Sequence, residues 1–121
     1  MSNHNINARE HLLDQVKADK IDLLVQVGFP YVLKIKAGDR VCLRKRSRKV
    51  WASVIAVRTY HSFEEMLGHE AFKRIAPEMV GEGQLLMALT DFYAYHQEVR
   101  GVVVFEIKKE GSHESKDCPA G

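Results

Sequence analysis

The chain has 121 residues, 45% of them hydrophobic and 28% charged, with a formal net charge of +2 and two cysteines. That is enough for one modest hydrophobic core, so a single domain is expected and a second is not. No apolar run approaches the roughly 20 residues of a membrane helix, the opening "MSNHNINAREHL" lacks the basic-then-apolar order of a signal peptide, and Cys42 and Cys118 form no Cys-x-x-Cys pair. The expectation is a cytoplasmic protein with free thiols, no membrane partner, no metal and no cofactor.

Taken in chain order, Asn7 and Glu10 have capping-box spacing ahead of Leu12, Leu13 and Val16, which predicts a first helix over residues 8–17. "IDLLVQV" follows as a short strand, and Gly28, Phe29 and Pro30 break it. "YVLKIKAGD" reads as a helical turn or loop that ends in a Gly38-Asp39 turn. "RVCLRK" is a strand with Val41 and Leu43 on one face and Cys42 and Arg44 on the other. The next strand, "KVWASVIAVRTY", is apolar on both faces, as expected of a strand covered from two sides. The basic "KRSRK" between these two strands is then a hairpin tip. Ser62 caps a helix with Glu65 three residues on, and Phe63, Met66 and Leu67 form its inward stripe. From Gln84, the spacing of Leu85, Leu89, Phe92, Tyr93 and His96 predicts one amphipathic helix. "GVVVFEIK" closes the domain, residues 1–109, as a central strand. Residues 110–121, small, polar and turn-rich, read as a disordered tail.

Charge is distributed unevenly. Residues 34–49 carry eight basic side chains, Arg40, Arg44, Lys45, Arg46, Arg48 and Lys49 among them, against Asp39 alone, a local net of +7 in a chain of +2. A positive patch on an otherwise acidic body suits a polyanion such as RNA. The same cluster also reads as a solvated turn.

The blocks "IKAGDRV", "VWASVIAVRTYHSFEEML" and "DFYAYHQEVRGVVVFEIK" together resemble the ASCH domain, a member of the PUA-like superfamily, over residues 12–109. The resemblance implies an α+β fold, a small PUA-like β-barrel with flanking helices and a cleft between them in which RNA is bound. One branch of the family resembles amidohydrolases acting on an acylated modified nucleoside, and another resembles ribonucleases. Members carry a Lys-x-x-Glu/Thr-x-Arg pattern on the strand after the first helix. Here that place reads Lys20-Ile21-Asp22-Leu23-Leu24-Val25, so the lysine is kept while Leu23 and Val25 stand at the two polar positions.

Two functional classes follow. As an RNA-binding module, the chain would hold phosphates with Lys20, Arg40, Arg44, Lys45, Arg46, Arg48 and Lys49. The strand-to-helix junction Tyr60-His61-Ser62 would offer an aromatic, an imidazole and helix amides to the nucleotide. As a hydrolase of a small modified nucleoside, or as a ribonuclease, it would use Lys20, Asp22 and Glu78 in acid-base roles, because a lysine needs a neighbouring carboxylate to set its position and pKa. Tyr60 also reads as a core tyrosine whose hydroxyl reaches the surface. His61, Glu65 and His69 recur at steps of four, but His61 precedes the helix and Glu65 belongs to its capping box, so a solvated face is the expectation there.

Overall fold

The computed structural model describes residues 2–110, and within them five strands form one sheet in the order β1-β3-β4-β5-β2. β1 (Asn3–Asn7) runs parallel to β3 (Arg40–Lys45), with His4 opposite Val41 and Asn7 opposite Arg44. β3 turns back through Arg46 and Ser47 into the 13-residue β4 (Arg48–Tyr60), and this is the predicted basic hairpin. β5 (Val102–Lys109) lies antiparallel between β4 and β2 (Leu23–Val27), central as its unbroken apolar run implies. β1 and β2 are the two edges, and the sheet curls into a half-barrel that stays open between them.

Side chains alternate across this sheet, as strand geometry requires. Leu24, Val41, Leu43, Val103 and Phe105 point inward with Ile6 and are closed over by Leu13 and Val16 of α1 (Glu10–Lys17), with Val32 of α2 (Pro30–Leu33) in the same core. On the outer face, Leu23, Val27, Val102 and Val104 pack against Phe63, Met66 and Leu67 of α3 (Phe63–Leu67), Ile75 of α4 (Phe72–Ile75) and Leu85 of α5 (Glu82–Phe92). Both faces are thus buried, which explains the two-sided apolar pattern of β4 and β5. The exception is Ile55, half exposed at a bulge where Val54 pairs with Ile107 and Ala56 already with Glu106.

Local chemistry sets the ends of these elements. Ser62 Oγ accepts the Glu65 N–H at 3.0 Å, the predicted cap, and the Glu65 carboxylate in turn accepts the His61 N–H at 3.0 Å. Gly38 has φ +93, a conformation open mainly to glycine. Asp39 beside it accepts from the backbone N–H groups of Ser2 and Lys36 and from His4 Nε2, tying the start of β1 to this turn. Those bonds hold the Asp39 carboxyl at a pKa of about 2. A side chain at Gly28 would meet the Arg100 carbonyl at 2.5 Å, so glycine lets the end of β2 close onto the start of β5.

The structure departs from the sequence reading in several places. β1 was not expected, since "NHNIN" has a single apolar side chain. Helix α1 starts at Glu10 with Arg9 at its N-cap, so Asn7 is the last residue of a strand rather than a cap. The amphipathic stripe does not form one helix: α5 stops at Phe92, Tyr93 turns extended, and a separate short α6 (Tyr95–Glu98) follows. Cys42, fully buried on β3, is disulfide-bonded rather than a free thiol. Cys118 and all but the first residue of the predicted tail lie outside the described residues. No described helix is long and apolar enough to cross a membrane.

Candidate nucleic-acid interface

A cavity of about 240 Å³ opens at the seam between the two sheet edges. One side is β2, through Leu23, Val25 and Gln26; another is the β1–α1 junction, Asn7, Ala8 and Arg9; Leu89, Phe92 and Tyr93 at the end of α5 supply the third. The walls are apolar because α5 must bury its inner stripe against the outer face of β2, yet the mouth is not. Phe92 is 56% exposed and the Arg9 guanidinium lies 4.4 Å from its ring centre, a cation–π contact left open to solvent. Phe92 meets Tyr93 edge-on at 4.7 Å, and burial, with Tyr31 nearby, pushes the Tyr93 hydroxyl pKa upward against the opposing field of Arg9.

The cationic hairpin adjoins this seam. The Ala8 N–H donates to the Arg44 carbonyl at 2.9 Å, so the strand that carries the cations touches the cavity wall. Arg48 is paired with Asp14 of α1, and Arg40 is stacked on Trp51 and held by Glu110 through two bonds of 2.6 Å. Lys45, Arg46 and Lys49 are exposed and Arg44 half-buried. Arg44, Lys45 and Arg46 have no ion-pair partner among the described residues.

The other candidate residues sit elsewhere. Tyr60 donates its hydroxyl to Glu70 at 2.5 Å and stacks on His69 at 5.6 Å. Glu70, 8% exposed, also takes two bonds from Arg58. Burial works to raise the Glu70 pKa, but the bonds from Arg58 and Tyr60 outweigh it and hold the carboxyl below its usual range. Arg58 continues to Glu106, which Arg74 approaches at 3.6 Å while gripping Asp22 through bonds of 2.8 and 2.9 Å. Asp22 is therefore a member of a structural ion network. His61 is nearly fully exposed beside Glu65, and Ser62 is engaged as a helix cap.

Lys20 and Glu78 flank Gln15: the Lys20 N–H donates to its carbonyl at 2.9 Å, and its carboxamide donates to Glu78 at 3.0 Å. That bond, with His11 nearby, lowers the Glu78 pKa. Lys20, Asp22, Glu78 and the Tyr60-His61-Ser62 junction are all absent from the cavity wall, whereas Leu23 and Val25, the apolar replacements in the Lys-x-x-Glu/Thr-x-Arg pattern, line it. Arg9 was not singled out from the sequence, and Phe92 was read only as part of a helical core stripe. Their signal was tertiary, since 83 residues separate the cation from the ring it covers. No described group of three or more His, Cys, Asp or Glu is placed to hold a metal ion.

No protein-family model matches this sequence, and no curated protein matches it. Among solved structures, hypothetical protein PH0355 superposes with a TM-score of 0.81 at 24% identity, over 91% of this chain and 100% of that one. Protein PF0455 from Pyrococcus furiosus gives 0.72 at 25% identity, over 90% and 97% of the two chains. An ASCH domain from Lactobacillus crispatus JV V101 gives 0.57 at 12% identity, over 89% and 79%.

Proposed function

We propose that this chain, whose fold is of the ASCH type, is an RNA-binding module that holds single-stranded segments across the seam between β1 and β2. The observation that carries the reading is the junction of two surfaces: an aromatic-mouthed cavity and a strand of exposed cations, joined by the Ala8–Arg44 hydrogen bond. Cations that track a backbone beside an aromatic platform for bases are the recurring parts of single-strand recognition. At about 240 Å³ the cavity is smaller than the roughly 300–1,000 Å³ typical of sites for drug-sized ligands, and suits one base. Arg44, Lys45 and Arg46 take the phosphates, and Phe92 with Arg9 takes the base face.

Binding is favoured over hydrolysis by the composition of the wall. Its thirteen lining residues include no Lys, His, Asp or Glu that could serve as a general acid or base, and the two positions at which the family pattern is polar are Leu23 and Val25.

The test is a titration of fluorescent single-stranded oligoribonucleotides at several salt concentrations. Each phosphate contact on a single strand contributes about 0.7 to the slope of log affinity against log salt. Replacing Arg44, Lys45 and Arg46 together by Ala is expected to flatten that slope by about 2. An unchanged slope would remove the hairpin from the interface, and cleaved RNA after incubation would restore the catalytic reading.

A further inference from the structure

β2 is an edge strand, and the phase of its pairing decides what it shows to the cavity. Two hydrogen bonds fix that phase: the Gly28 N–H donates to the Gly101 carbonyl, and the Ile107 N–H donates to the Asp22 carbonyl, each at 2.9 Å. In an antiparallel ladder, residues that exchange hydrogen bonds alternate with residues whose N–H and C=O point the other way. With Leu24 opposite Phe105 and Gln26 opposite Val103 in the same phase as Gly28, the backbone groups of Leu23, Val25 and Val27 face away from β5. The Val27 carbonyl is taken by the Phe29 N–H at 2.8 Å. Val25, in the middle of the strand and on the cavity wall, has no partner for its outward N–H or C=O among the described residues.

An edge left open in this way is a template for pairing, and an outward N–H and C=O lacking a protein partner, on a half-buried residue of the cavity wall, are groups that a ligand satisfies. The two groups of one extended residue lie side by side and point the same way, so they match a ligand with an acceptor next to a donor on one planar edge. The Watson–Crick edge of a nucleobase has that pattern. A peptide strand also has it, but the flanking chemistry separates the two. The Arg9–Phe92 pair at the mouth suits a π-face, and the cations on β3 suit a polyanion.

We infer that the cavity reads the edge of one base through the backbone N–H and C=O of Val25. This rests on the RNA-binding reading above and adds to it the device by which one base is accepted. Leu23 and Val25, which bring no polar side chain to the wall, serve as spacers that present the main chain.

The test couples a ligand change to a backbone change. Hexanucleotides of adenosine and of uridine are titrated beside versions built from N6,N6-dimethyladenosine and N3-methyluridine, which stack alike but lack the edge donor. For the unaltered protein, methylation is expected to weaken the preferred oligonucleotide about tenfold or more, the consequence of leaving a desolvated carbonyl unpaired. Val25→Pro removes the outward N–H, and proline is tolerated on an edge strand where that N–H is not used by the ladder. In this variant the unmodified oligonucleotide is expected to bind about tenfold more weakly, while methylation, which acts at the retained Val25 carbonyl, still weakens binding and the salt slope is unchanged. A melting curve checks the fold, and an ester at position 25, made with the α-hydroxy analogue of valine, removes the same N–H with less change of shape. A methylation penalty that is absent, or a proline and ester variant that both bind the unmodified oligonucleotide as tightly as the unaltered protein, overturns the inference while leaving RNA binding intact. Absence of any RNA binding overturns both readings. Slowed exchange of the Val25 amide that depends on protein concentration without RNA identifies a second chain at the edge, and overturns base reading.

Discussion

On the outer face of the sheet, Arg58, Tyr60, Glu70, Glu106, Arg74 and Asp22 satisfy one another, whereas at the β1–β2 seam Arg9 rests on an exposed ring and Val25 presents unpaired main chain. The first region has more of the residue types associated with chemistry. The second has fewer, but leaves them unspent. A carboxylate with three donors already on it has little capacity left for substrate, and an arginine gripped in a fork is poorly placed to take a phosphate. Function is therefore sought where hydrogen-bonding capacity and aromatic surface remain open to solvent.

That contrast can be broken most decisively at Glu70. Replacing it by Ala strips Arg58 and Tyr60 of their shared acceptor, and the expected loss is about 2–3 kcal/mol in a denaturant titration. This is less than the ~3–5 kcal/mol of breaking a fully buried pair, because Arg58 is about one-third exposed and keeps Glu106. RNA affinity measured well below the melting temperature should not change; a loss of affinity in the folded variant would place the network at the interface.

Phe92→Ala is the mirror experiment. The ring is more than half exposed, so stability should move by no more than about 0.5 kcal/mol. Affinity for single-stranded RNA should fall by about 1–3 kcal/mol, the worth of one stacked base. Equal binding would show that bases do not reach the cavity mouth.

The smallest effect sharpens the structural side of the comparison. Asp39 has a folded pKa of about 2, depressed below its ordinary value of 3.8 by the Ser2 and Lys36 N–H groups and by His4. Its stabilising contribution is fully present above about pH 4 and is lost as pH falls through the folded value. Asp39→Asn should lower the melting temperature at neutral pH and flatten its dependence on pH between about 4 and 2. An unaltered acid limb would mean that other carboxylates govern it.

How much of this was legible varies element by element. The Ser62 cap, the hairpin about Arg46 and the central position of β5 rest on residues close in sequence or on unbroken apolar runs, and each was read correctly. β1 escaped because a five-residue edge strand with one buried side chain leaves almost no periodic signal. The helical stripe through Phe92 and Tyr93 misled in the opposite sense. Its spacing is helical to His96, but α5 ends where Tyr93 turns extended to pack against the outer core. For the site, the hairpin cations and the Leu23 and Val25 departures were visible, yet the departures could be read only as a loss until the fold placed both on the cavity wall.

The sequence by itself determined the cap and turn positions and the location of the surplus positive charge, because each depends on capping or composition within a short window, while the class of the fold was implied by the resemblance of its blocks to the ASCH domain. Only the tertiary structure decided which polar residues are consumed and which are left open. Arg9 meets Phe92, Arg74 meets Asp22 and Gln15 meets Glu78 across 52 to 83 residues of chain. The phase that turns the backbone of Val25 away from the ladder is likewise fixed by β5, a strand nearly 80 residues away, through hydrogen bonds that no local pattern encodes.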